Sequence, residues 1–235
     1  MKKIILFLAL MFSSIFAAED LEQALKFYEE NKFEKAYKLF EKLCEKGSAK
    51  ACFSVASMNE DGKGTRINLQ KAYKYYDKAC NSRLSKACSN LALLLKEKGY
   101  ENQAILAFNR GCNLGDIESC NAVGLFYEEE KDANLALSFY KKSCSLKDGK
   151  ACYKLGSIYE KGELVRQNLT SSISFYMQSC SFGYAEACYL LGRYNQKENK
   201  DMEKAKRYFG MACDKNHKEA CEAYKEFVKQ GIEIY

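Results

Sequence analysis

The sequence predicts an all-α chain, a solenoid of about six two-helix units, and three observations carry that expectation. The 235 residues include no proline, no tryptophan and only 14 glycines. That composition disfavours a turn-rich β-sandwich and suits helices joined by short connections. Twelve cysteines fall in six pairs, each separated by eight residues: Cys44/Cys52, Cys80/Cys88, Cys112/Cys120, Cys144/Cys152, Cys180/Cys188 and Cys213/Cys221. Steps of 36, 32, 32, 36 and 33 residues separate successive first cysteines, a period typical of helical-repeat units.

Local patterns justify each element. Eight residues before each first cysteine stands a small side chain and four before it an aromatic: Ala36/Phe40, Ala72/Tyr76, Ala104/Phe108, Ala136/Tyr140, Ser172/Tyr176 and Ala205/Phe209. Spacing of four marks one helix face, and this stripe is expected to be core. Twelve residues before four of the first cysteines stand Asn68, Asp132, Asn168 and Asp201, which can cap a helix start. In the first unit Lys32 holds that place and Asn31, one residue earlier, is the candidate cap; in the third, Tyr100 offers none. Downstream of each second cysteine a further helix carries Val55, Leu91, Val123, Leu155 and Leu191 at plus three. At plus four it carries Ala56, Ala92, Gly124, Gly156 and Gly192, which let a neighbouring helix approach. The last helix departs from this with Tyr224 and Lys225, as a terminal cap should.

Each cysteine pair thus joins the end of one unit's second helix to the start of the next unit's first helix, across turns such as Glu45-Lys46-Gly47-Ser48. Pairing 44–52, 80–88, 112–120, 144–152, 180–188 and 213–221 brings sulfurs together across one elbow, whereas distant pairings would crumple the solenoid. Cys-x-x-Cys is absent, so the bridges read as structural rather than redox-active. A single histidine, His217, disfavours Cys/His metal sites, and no metal or other cofactor is expected. His217 lies in the turn closed by the last pair and is read as a solvated turn residue.

Met1 to Ala17 reads as a secretory signal peptide: Lys2 and Lys3, an apolar run Ile4 to Phe12, and a plausible cleavage site at Ile15-Phe16-Ala17. The mature chain is therefore expected in the periplasm or outside the cell, without membrane insertion, in an oxidising space where disulfides persist. Losing Lys2 and Lys3 lowers the net charge from +6 to +4, an ordinary solvated surface that gives no reason to expect nucleic acid. One repeat domain, 19–235, is expected, with units at about 19–48, 49–84, 85–116, 117–148, 149–184 and 185–217 and a capping helix at 218–232. A monomer is expected.

Runs such as Ala151-Cys152-Tyr153-Lys154-Leu155-Gly156-Ser157-Ile158-Tyr159-Glu160-Lys161-Gly162 and Lys71-Ala72-Tyr73-Lys74-Tyr75-Tyr76-Asp77-Lys78-Ala79-Cys80 resemble Sel1-like repeats, bacterial relatives of tetratricopeptide repeats. A cysteine pair at every repeat boundary resembles the Helicobacter cysteine-rich protein family, exported proteins classified as β-lactamases or penicillin-binding proteins. The resemblance covers about residues 20 to 232 and implies a right-handed α-solenoid stapled between consecutive repeats. The family's two-glycine loop survives as Gly62-Lys63-Gly64, becomes Gly162-Glu163-Leu164, and is shorter in the third, fourth and sixth units.

By analogy with tetratricopeptide units, the first helix of each pair lines a concave groove through positions one and five after the second cysteine. Those are Phe53, Ser57, Ser89, Leu93, Asn121, Leu125, Tyr153, Ser157, Tyr189 and Arg193. Aromatics among hydrogen-bonding groups suit a protein, an extended peptide or a peptidoglycan-derived fragment. The alternative is that these aromatics pack between repeats. The resemblance also implies slow hydrolysis of β-lactams or acylation by them. Ser138-Phe139-Tyr140-Lys141 fits Ser-x-x-Lys, yet neither Ser-Asp-Asn nor Lys-Thr-Gly accompanies it in this serine- and lysine-rich chain, and no catalytic residue is assigned. The expected function is that of an exported, rigid recognition scaffold.

Overall fold

The computed structural model describes residues 19–232 and contains no strand among them. The expected leader, Met1 to Ala17, lies outside the described residues. The chain divides into two compact units, one ending at Ser119 and one beginning at Cys120. In the first, α1 (19–29) is followed by α2 (Phe33–Glu45), α3 (Ala49–Asp61), α4 (Leu69–Asn81), α5 (Ser85–Glu97) and α6 (Glu101–Asn113). The division falls within α7 (Ile117–Glu129). The second unit continues with α8 (Ala133–Ser145), α9 (Gly149–Lys161), α10 (Leu169–Ser181) and α11 (Ala185–Tyr194). A π-helical turn (Asn195–Asn199), α12 (Met202–Cys213) and α13 (Lys218–Lys229) complete it.

One elbow recurs between repeats. Three residues past each first cysteine the backbone turns left-handed, at Gly47, Arg83, Gly115, Lys147, Gly183 and Asn216, with φ between 63° and 94°. The next N–H then donates back to the carbonyl just before the cysteine: Ser48 to Leu43, Leu84 to Ala79, Asp116 to Gly111, Asp148 to Ser143, Tyr184 to Ser179 and His217 to Ala212, at 3.0–3.2 Å. Such a closure satisfies carbonyls that a helix end otherwise leaves unpaired. Across the elbow, disulfides join Cys44–Cys52, Cys80–Cys88, Cys144–Cys152, Cys180–Cys188 and Cys213–Cys221, with Cα atoms 4.5–4.8 Å apart. Cys112 and Cys120 are disulfide-bonded too, and no described cysteine is free.

Caps and core follow the sequence pattern, with one exception among the caps. Side chains of Asn68, Asp132, Asn168 and Asp201 accept the N–H three residues on, at 2.9–3.0 Å. Asn31 does not cap α2. It takes φ 58° in the turn after α1, and Lys32 precedes α2 without a side-chain cap. Asparagine tolerates the left-handed region, and at this site ending one helix wins over starting the next. The small-and-aromatic stripe is buried throughout, from Ala36 and Phe40 to Ala205 and Phe209. In the second unit Gly124, Gly156 and Gly192 sit so close to Tyr140, Tyr176 and Phe209 that a Cβ would stand 2.6–2.8 Å from a ring carbon. Ala56 and Ala92 hold the same position in the first unit.

Candidate functional site

The buried tyrosines carry a feature that sequence reading missed. Tyr76, Tyr140 and Tyr176 donate their hydroxyls to Glu60, Glu128 and Glu160, at 2.7, 2.8 and 2.7 Å. Each glutamate lies eight residues after a second cysteine; where the aromatic is Phe108 or Phe209, that position is Lys96 or Gln196. This internal correlation was the available signal. Burial first, and then the carboxylate acceptor, pushes all three tyrosine pKa values well above the usual phenol range.

The nominated groove residues divide between packing and surface. In the first unit Phe53 is half-buried, its ring 5.5 Å from Tyr76 in an edge-on contact, and Ser57 is half-buried. Ser89 departs from the expectation: it is 1% exposed, its hydroxyl donating to the Lys86 carbonyl at 2.9 Å, so it presents nothing to solvent. A hydroxyl satisfied within its own helix can be buried cheaply. Leu93 is exposed. In the second unit Ser157 is half-buried, and Tyr189 is stacked on His217 with centroids 4.5 Å apart. Arg193 lies over the Tyr189 ring at 5.9 Å.

His217 is not a solvated turn residue. Its side chain is only 12% exposed. Nδ1 accepts the Ala220 N–H at 3.3 Å, capping α13, and Nε2 lies 2.9 Å from Glu186. An imidazole beside Tyr189 loses little on leaving water when both ring nitrogens find partners.

Asn121, Leu125 and Tyr153 come together in the second unit. With Tyr140, Lys150, Lys154 and Tyr184 they line a cleft of about 340 Å³. Asp148 holds two of these segments together: Oδ1 caps α9 by accepting the Lys150 N–H at 3.1 Å, while Oδ2 accepts from Asn121 Nδ2 at 2.6 Å and from Ser143 at 3.1 Å. Asn121 Oδ1 is buried without a hydrogen-bond partner. Tyr153 stands between Tyr176 and Tyr184, with centroids 5.5 and 5.1 Å away, and burial pushes its hydroxyl pKa up. Lys154 pairs with Glu128 at 2.8 Å. Lys150 is exposed, and its ammonium enters no ion pair. The cleft therefore offers a free cation, an apolar wall at Leu125 and aromatic faces, a set suited to noncovalent recognition of a carboxylate with an apolar neighbour.

Ser138 is exposed, and its hydroxyl donates to the Leu135 carbonyl at 2.8 Å. Among the described residues no group of three or more His, Cys, Asp or Glu could hold a metal ion. No described helix is long and apolar enough to cross a membrane. The disulfides suggest oxidising, non-cytoplasmic surroundings.

Paired helices joined by one recurring elbow define a helical-repeat scaffold. The Sel1 repeat pattern matches residues 31–48, 49–83, 149–181 and 185–217, more than half of the chain, and a tetratricopeptide repeat pattern matches 117–148. The chain belongs to the Sel1 repeat family. No curated protein sequence matches it significantly.

Solved structures share the fold. A Sel1 repeat protein from Oxalobacter formigenes is 21% identical over 85% of this chain and 86% of its own, with a TM-score of 0.65. The protective antigen c5321 of uropathogenic Escherichia coli is 18% identical with a TM-score of 0.73. The match covers 94% of this chain and half the length of c5321. PilF of Pseudomonas aeruginosa is 17% identical over 91% of this chain and 97% of its own, with a TM-score of 0.52. Sel1 and tetratricopeptide scaffolds typically mediate protein binding.

Proposed function

We propose that this protein is an exported, disulfide-stapled scaffold that binds peptides carrying a free carboxylate, from a protein partner or from peptidoglycan, in the cleft on α7, α8 and α9. The observation that carries the reading is the unpaired Lys150 ammonium beside Leu125 and Tyr153. A carboxylate at Lys150 would leave the adjoining side chain against Leu125 and the tyrosine faces. The staples support this role because a scaffold already ordered loses less conformational entropy on binding. Export is supported by the leader-like start and by the disulfides. β-Lactam hydrolysis, implied by the cysteine-rich family resemblance, gains nothing from Ser138, whose hydroxyl is committed to Leu135. Saturable nitrocefin turnover by the oxidised protein is the measurement that would restore it.

The test is calorimetric titration with acetyl-Ala-Ala as the free acid and as the C-terminal amide, in L and D forms. The free acid should bind up to about five-fold more tightly than the amide, and Lys150→Glu should remove the difference. A preference for the D form would indicate a wall peptide, and for the L form a protein terminus. Equal binding of acid and amide would refute the proposal.

A further inference from the structure

The three tyrosine–glutamate pairs are completed differently by the following repeat. Two residues past the next second cysteine stands Asn90, Lys154 or Leu190. Asn90 donates to the Tyr76 hydroxyl at 3.2 Å, and Lys154 places its ammonium 2.8 Å from Glu128. Leu190 can do neither. Glu160 Oε2 accepts from Tyr176, and its carboxylate enters no ion pair. It opens instead onto a cleft of about 250 Å³ walled by Leu169, Ile173, Leu190 and Tyr194.

We infer that this cleft on α10 and α11 is a binding site for a lysine side chain of a partner, with the methylene stem along Leu190 and Ile173 and the ammonium on Glu160. The chain contains its own template for the contact, since Lys154 occupies the matching place beside Glu128. A long aliphatic stem ending in a cation fits a site whose walls are apolar and whose end is a carboxylate. Two cations also line the cleft, Arg193, placed over the Tyr189 ring, and Lys197, together with a second carboxylate, Glu198. This cleft shares no lining residue with the Lys150 cleft, and the inference does not depend on that one.

The probe is Nα-acetyl-lysine methylamide, titrated into the isotope-labelled, oxidised protein and followed by amide shifts on α10 and α11. The wild-type protein should bind it weakly and saturably, and Glu160→Gln should weaken binding about five-fold, the limit for a solvent-accessible ion pair. The norleucine analogue should bind the wild type no better than the lysine probe binds that variant. Leu190→Lys, its fold checked by circular dichroism, should abolish probe binding by supplying the missing cation internally. Unchanged binding in Glu160→Gln would overturn the inference. Binding that emerges only after Lys197→Ala would also overturn it, because the chain's own lysine would then fill the cleft.

Discussion

Removing one staple gives a quantitative test of what the elbows contribute. Cys180→Ala with Cys188→Ala opens a bridge of sequence separation 8, a closed loop of about nine residues. The chain-entropy relation gives about 2.5 kcal/mol for such a loop at 25 °C, arising in the unfolded ensemble. The native elbow keeps its other closures, since Gly183 remains left-handed and the Tyr184 N–H still reaches Ser179. Both cysteines are nearly fully buried, so the missing sulfurs add a packing loss of about 1 kcal/mol. The expected total is about 3 to 4 kcal/mol, a fall in Tm of roughly 10 °C for a chain of this size. Urea denaturation followed by circular dichroism measures it, with the Cys213/Cys221 double variant as comparator because its loop has the same length. A cost below about 0.5 kcal/mol in both variants would mean that the bridges contribute little and that the backbone closures are the main support.

Four further outcomes follow from the geometry. Lys147→Gly should stabilise the protein by about 0.5 to 1 kcal/mol, as relief of a left-handed side chain exceeds the added chain entropy; a lowered urea midpoint would contradict this. Tyr76, Tyr140 and Tyr176 have folded pKa values raised above the unfolded value of about 10. Their neutral forms therefore stabilise the fold fully below that pH, and stability is lost as pH rises above it. Phenolate absorbance should show these three ionising only with alkaline unfolding, and early titration of all 17 tyrosines would contradict the placement. His217→Ala should cost about 1 kcal/mol and speed hydrogen exchange at the Ala220 amide, with exchange in α2 to α6 unaffected. Gly156→Ala should destabilise despite a helix-propensity gain of about 1 kcal/mol, because its Cβ would meet Tyr176 at 2.6 Å; a raised Tm would count against close approach there.

The repeat was legible because its signals are local. Cysteines eight apart, a small residue and an aromatic four apart, and an Asn or Asp at a fixed distance before the cysteine each report on a single helix or elbow. Side chains that serve two elements were harder to read. Asn31 looks like a cap in one dimension, but in space it ends α1. His217 sits in a turn, yet Glu186, thirty-one residues away, and the ring of Tyr189 draw it in. Arg83 and Lys147 adopt the left-handed turn that glycine takes at Gly47, Gly115 and Gly183, and residue type alone gives no hint of it. The groove positions come from analogy with tetratricopeptide units, which treats every repeat alike. The actual surface depends on neighbours: Tyr153 has Tyr184 beside it and borders a cleft, Phe53 packs on Tyr76, and Ser89 is enclosed. Of the tyrosine–glutamate pairs, the aromatic half was read as core, and its acceptor was visible only by comparing repeats across the helix turn.

Recognition of a carboxylate-bearing peptide by a preordered repeat surface at Lys150 can be read residue by residue, by amide shift mapping on the isotope-labelled, oxidised protein with acetyl-Ala-Ala free acid. Saturable shifts should cluster at Asn121, Leu125, Lys150, Tyr153 and Tyr184 and be lost in Lys150→Glu while the fold is retained. Saturable shifts located elsewhere, or a cluster that survives Lys150→Glu, would contradict it.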